Sequence, residues 1–143
     1  MKSFVLDASV ALSWVLLDET NIYADAVLDE LNPADESAAE VEAIVPELWS
    51  LEVANGLLVA ERRGRLSQSQ AEQAILFLQA LPIGVDDSTS EQALDQTLSL
   101  ARHQDLAVYD AAYLELALRQ KCSLATADTR LAKVARTLGI MHE

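Results

Sequence analysis

The chain has 143 residues, which predicts a single domain over residues 1–143 with room for a real core. Hydrophobic residues make up 51% and charged residues 23% of it, a balance that excludes disordered and fibrous proteins. Ten lysines and arginines against 23 acids leave a formal net charge of −13, which argues against a nonspecific nucleic-acid coat.

Phe4, Val5 and Leu6 form a short apolar run that Asp7 closes, so the first predicted element is a buried strand over residues 3–6 with a carboxylate at its C-terminal end. A helix beginning near Ser9 follows, with Val10, Trp14 and Leu17 at helical spacing and Asp7 placed to cap it. The apolar stretch 8–17 falls far short of the roughly 18 residues of a membrane span, and no signal peptide precedes it. Tyr23, Val27 and Leu31 repeat the helical spacing after a break at residues 18–21, and residues 32–42 form a polar, proline-containing stretch.

A second strand is predicted over residues 43–45, with Pro46 in the first turn of a helix that runs to about Arg63 and ends at Gly64. Ser67 with Gln70, and Ser88 with Glu91, have the spacing of capping boxes and open two more helices. Between them Ile83 and Val85 alternate as a weak strand. Residues 109–120 read as a helix, 123–126 as a strand, and Leu131, Val134, Ala135 and Leu138 as one face of a last helix that Gly139 ends. Strands alternating with helices predict an α/β domain around a parallel sheet. Cys122 is the lone cysteine, so no internal disulfide forms, and no cysteine or histidine cluster has zinc spacing; the cytoplasm is the expected compartment. His103 and His142 read as surface residues, and Trp14 and Trp49 as core.

Charge is distributed unevenly. Residues 1–61 carry 13 acids and one base, a balance of −12, whereas residues 62–143 carry ten acids and nine bases, a balance of −1. Nine of the acids lie in residues 18–42 with no base among them, the pattern of a solvated acidic face or of a dock for a basic partner. The bases fall into two short groups, Arg62, Arg63 and Arg65, then Arg130, Lys133 and Arg136, either of which could touch phosphates.

Two acids stand on helical faces where solvated side chains are not expected, and two more follow predicted strands. Asp110 shares its helical face with Tyr113, Leu114, Ala117 and Leu118, and Glu52 shares its own with Leu48, Asn55 and Val59. Carboxylates are seldom buried unless paired or bound to metal, so the alternatives are an N-cap for Asp110 and a rim position for Glu52, with Asn55 one turn on to orient it. Asp7 and Asp128 follow predicted strands, which places them at the carboxyl edge of a parallel sheet, where ligands bind; each could also cap the helix that follows it. Converging carboxylates repel by about 4 kcal/mol per neighbouring pair, and an all-oxygen set without histidine or cysteine suits Mg²⁺ or Mn²⁺.

Three segments carry a resemblance to a known family. Phe-Val-Leu-Asp7-Ala-Ser9-Val, then Pro46-Glu-Leu-Trp-Ser-Leu-Glu52-Val-Ala-Asn55-Gly, then Tyr109-Asp110-Ala-Ala-Tyr followed by Leu-Ala-Thr126-Ala-Asp128 together resemble PIN-domain ribonucleases, and within them the VapC toxins of type II toxin–antitoxin systems. The resemblance runs over nearly the whole chain and in order. It implies a three-layer α/β/α sandwich with a central parallel sheet, RNA as substrate, and a homodimer inhibited by a small antitoxin with a basic tail. It also implies Asp7, Glu52, Asp110 and Asp128 as catalytic metal ligands, with the hydroxyls of Ser9 and Thr126 beside them; Asn55, by its helical spacing, is read as a further orienting residue. Residues 32–42 depart from it in length and acidity, and Asp105 and Ala107 stand where it implies a small residue and a hydroxyl. Two rival functions share some of these features. A Mg²⁺-dependent phosphatase or receiver domain also uses strand-end aspartates, but Asp7-Ala-Ser9 lacks the second aspartate of an Asp-x-Asp start. A non-catalytic partner-binding domain would use the acids only as charged surface.

Overall fold

The computed structural model describes residues 2–16, 18–33 and 40–143; Leu17 and residues 34–39 of the acidic stretch lie outside them. Consecutive Phe4, Val5 and Leu6 have no solvent exposure, the signature of a strand covered on both faces. They form β1 (Lys2–Leu6), which pairs with β2 (Val41–Pro46) on one side and β4 (Ser123–Ala125) on the other; β3 (Ile83–Asp86) lies outside β2. All pairings are parallel. All four strands therefore end at one edge, and the register sets Leu6 beside Ala125 and Pro46 beside Asp86 there.

Helices α1 (Ala8–Val15), α2 (Ile22–Leu31), α3 (Leu48–Arg62), α4 (Gln68–Gln79), α5 (Thr89–Gln92), α6 (Leu98–Gln104), α7 (Val108–Gln120) and α8 (Thr129–Thr137) flank the sheet in an α/β/α sandwich. Apolar side chains from β1, β2, β4, α1, α3 and α7 share one core. Among the described residues no helix is long and apolar enough to cross a membrane. Helices α1 and α3 approach closely at Gly56, where an added Cβ would stand 2.6 Å from Leu12 Cδ1. A larger residue there would have to displace the Leu12 side chain.

Local details differ from the sequence expectations in four places. Pro46 closes β2 instead of opening α3, which starts at Leu48; as an X–Pro residue at a strand end it keeps the preceding backbone extended. Ser67 and Gln70 form the predicted capping box, but the Ser88–Glu91 box does not form. Asp86 takes its place, accepting from Ser88 N and Thr89 Oγ1, both at 3.2 Å. A π-helical stretch, Ala93–Thr97, then interrupts the helix predicted as continuous. His142 is buried instead of exposed: it stacks on Phe4, meets Ser123 Oγ at 2.7 Å through Nδ1 and meets Glu30 Oε2 at 2.6 Å through Nε2.

Candidate metal-binding active site

Parallel pairing places Asp7 one residue beyond β1, where its N–H extends the ladder to the Ala125 carbonyl at 2.9 Å. That contact sets Asp7 beside Thr126. Although Asp7 occupies the N-cap position of α1, its side chain makes no capping bond. Its Oδ2 instead accepts from Ser9 Oγ at 2.6 Å and Thr126 Oγ1 at 2.7 Å. Each hydroxyl is in turn oriented by a backbone donor: Ala127 N–H donates to Ser9 Oγ, and Asp128 N–H donates to Thr126 Oγ1, both at 3.0 Å. A hydroxyl that accepts from a fixed amide has its proton left to give. The turn after β4 thus holds a carboxylate that is only 5% exposed without supplying a positive charge.

The other three acids approach from separate elements. Glu52 lies in the second turn of α3, Asp110 in the first turn of α7, and Asp128 at the N-cap of α8. Ala107 is the N-cap of α7, so the capping alternative for Asp110 does not hold. For Asp128 capping does hold: its Oδ1 accepts from Leu131 N at 2.9 Å. Glu52 is oriented by Tyr113, whose hydroxyl donates to Oε1 at 2.5 Å, and not by Asn55, which is exposed. Nothing in the α3 periodicity shows this contact. The available signal lay on α7, where a tyrosine on a core face needs a partner for its hydroxyl.

Burial holds the Asp7, Glu52 and Asp110 carboxyls above the usual carboxylate range, and their mutual charges add to it. Asp128 acts on Asp7 and Asp110, while Asp7 and Asp110 both act on Glu52. The hydroxyls oppose this at Asp7, Tyr113 opposes it at Glu52, and Arg130 opposes it weakly at Asp110. Tyr113 is itself held far above the ordinary phenol range, first by burial and then by Glu52, so it remains a donor.

These four acids form an all-oxygen donor set that fits a hard divalent cation in its chemistry. Asp7 Oδ1, Glu52 Oε2 and both Asp110 oxygens receive no side-chain hydrogen bond among the described residues. Among those residues no three carboxylates already stand at ligand spacing, so a bound ion would have to draw the side chains together.

The predicted phosphate-contacting bases are scattered. Arg130 lies beside the acids, its Nη2 donating to the backbone oxygen of Asp105 and to Asp105 Oδ2 at 2.8 Å. Lys133 is exposed one turn further along α8. Arg65 binds Asp18 through two hydrogen bonds and Glu19 through a third. Arg62 and Arg63 are exposed at the far end of α3, about 15 Å along the helix axis from Glu52.

The sequence profile of the family described as PIN domain matches residues 4–137. Among solved structures the chain is similar to PAE2754 from Pyrobaculum aerophilum, with a TM-score of 0.67 and 21% identity over 92% of this chain and 84% of that one; the likeness is one of fold. No curated protein sequence matches the chain significantly.

Proposed function

Because this chain belongs to the PIN domain family, whose members are typically nucleases that use divalent metals, we propose that it is a Mg²⁺- or Mn²⁺-dependent endoribonuclease, the toxin of a toxin–antitoxin pair. The observation that carries this reading is that Asp7, Glu52, Asp110 and Asp128 come close enough for their charges to act on one another, with Arg130 the one base that acts on them among the described residues. A bound ion supplies an acidified water and a counter-charge for the phosphoryl oxygens. Asp7 and Asp110 are the side chains best placed to hold it, with Glu52 and Asp128 completing the set. Ser9 and Thr126 fix Asp7 Oδ2 and leave Oδ1 to face the ion. Arg130, whose charge acts on Asp110, binds the RNA phosphate and draws it toward the acids. Cleavage of RNA in Mn²⁺ is expected, with Asp7→Asn lowering the rate on the order of 10³-fold and leaving the melting temperature near that of the parent. Equal cleavage by the folded variant, or cleavage that persists in chelator, would overturn the assignment.

The partner reading rests on surface chemistry. Leu51 and Leu58 on α3, with Ile75 and Leu76 on α4, are exposed, and a groove of about 250 Å³ lined by Trp49, Val53, Leu57 and Leu78 runs between these helices. Apolar exposure of this kind suits a second copy of the chain. Asp25 and Asp29 are exposed on α2 and suit the basic tail of an antitoxin. Sedimentation of the free chain as a monomer would remove the homodimer. Failure of the product of the adjacent reading frame to bind would remove the antitoxin.

A further inference from the structure

Tyr113 has no solvent exposure, yet its hydroxyl reaches a carboxylate of the candidate site. It lies three residues after Asp110 on α7, on the same helical face, and its hydroxyl donates across to Glu52 on α3. This hydrogen bond thereby links the two helices that carry Glu52 and Asp110. Glu52 is half-buried, has three side-chain torsions and feels the charges of both Asp7 and Asp110. Without a tether, repulsion and rotamer freedom would both favour its swinging toward water. The ring of Tyr113 is held by the core, so its hydroxyl is a fixed point against which the longer carboxylate is held.

We propose that Tyr113 is a positioning residue for metal binding: by occupying Glu52 Oε1 it keeps the carboxylate turned toward the acidic edge with Oε2 left for the divalent cation. The inference rests on the carboxylate-site reading given above. It assigns to α7 two contributions one helical turn apart, a ligand at Asp110 and an anchor for a ligand at Tyr113. Partners of this kind, which touch a ligand but not the metal, typically change metal affinity 10- to 100-fold when removed.

Isothermal titration with Mn²⁺ on the whole chain tests this, using the parent, Tyr113→Phe, Glu52→Gln and the double variant, with melting temperature in chelator as a parallel measure. Tyr113→Phe is expected to weaken Mn²⁺ binding about tenfold while melting in chelator close to the parent. In the Glu52→Gln background the same substitution should weaken binding no further, since the oxygen it positions is already lost as an anionic ligand. Equal Mn²⁺ affinity in parent and Tyr113→Phe would overturn the inference, as would losses that multiply in the double variant. Those outcomes leave the carboxylate site standing provided Glu52→Gln alone weakens binding. A parent that takes up no Mn²⁺, or a Glu52→Gln variant that binds as the parent does, would bring down the site reading and this inference together.

Discussion

At the end of β3, Asp86 accepts two hydrogen bonds from Arg119, at 3.0 and 2.8 Å, and Glu115 accepts two more from the same guanidinium at 2.8 and 3.1 Å. At the end of β1, Asp7 accepts its side-chain bonds from two hydroxyls and from no cation. Both aspartates follow strands of one sheet, yet their carboxyls are displaced in opposite directions. Arg119 holds Asp86 below the usual carboxylate range, whereas burial holds Asp7 above it. The fold thus contains a complete way of neutralising strand-end acids and uses it only where the acid ties β3 to α5 and α7. At the end of β1 the charge is left standing, which costs native stability and leaves a set of anionic oxygens available to a ligand.

Removing Arg119 should give the largest effect on stability, because it would make the first region resemble the second. The Asp86 and Glu115 side chains are only 9% and 5% exposed, so Arg119→Met would strand two carboxylates with little access to water. A loss of about 3 kcal/mol is expected at neutral pH, read from the urea midpoint. The sign of the pH dependence follows from Asp86, whose lowered value means that its contribution is present above the ordinary carboxylate range and disappears as pH falls through the lowered value. The deficit of the variant should therefore shrink in acid. A midpoint equal to the parent's would show that the arginine cluster contributes no more than an exposed ion pair.

A smaller effect of opposite sign is expected at the acidic edge. Asp7, Glu52 and Asp110 have raised values in the folded protein, so their contribution is greatest below the ordinary carboxylate range and is lost as pH rises through the raised values. In chelator the melting temperature should climb as pH is lowered from neutrality toward that range. Millimolar Mn²⁺ should stabilise the parent at neutral pH by about 2–3 kcal/mol at a hundredfold excess over its dissociation constant, and so flatten the trend. Asp110→Asn should melt at or above the parent in chelator and lose most of the Mn²⁺ response. A variant that melts well below the parent in chelator would show that Asp110 supports α7 by its position in the first turn.

The contrast between the two regions was only half visible in the sequence. Phe4 to Leu6 followed by Asp7 can be read as a buried strand with a terminal carboxylate because burial on both faces demands a continuous apolar run. Asp110 stands out for the same local reason, an acid on an otherwise apolar helical face. The contacts that separate the regions join residues far apart in the chain: Asp86 with Arg119, Glu52 with Tyr113, Thr126 with Asp7, Glu30 with His142. Periodicity describes what one element buries, and it does not describe which side chain on another element meets it. Asn55 is the natural sequence neighbour to orient Glu52, yet it points to solvent while a tyrosine 61 residues away makes the bond. The Ser88–Glu91 spacing fails in the same way, since Asp86, already fixed by Arg119, receives the bonds at that helix start.

Arg130 stands between the two extremes and should give the smallest effect. Like Arg119 it is an arginine bound to an aspartate, but its side chain is 64% exposed and that of Asp105 is 96% exposed, so water and salt weaken the pair. Its charge still reaches Asp110, which makes it the one base in this region with a direct effect on the candidate ligands. On the RNA reading proposed above, Asp105 would compete with the phosphate for the same guanidinium. Asp105 also has a positive φ of 53°, a conformation that asparagine tolerates, so Asp105→Asn removes the charge while keeping the backbone and its carbonyl contact. The expected result is a KM for RNA about twofold lower at low salt, with kcat unchanged and the difference gone at high salt. A higher KM would show that Asp105 holds Arg130 in its productive position instead of withholding it, and the arginine at the acidic edge would then belong with Arg119 as a fixed structural partner.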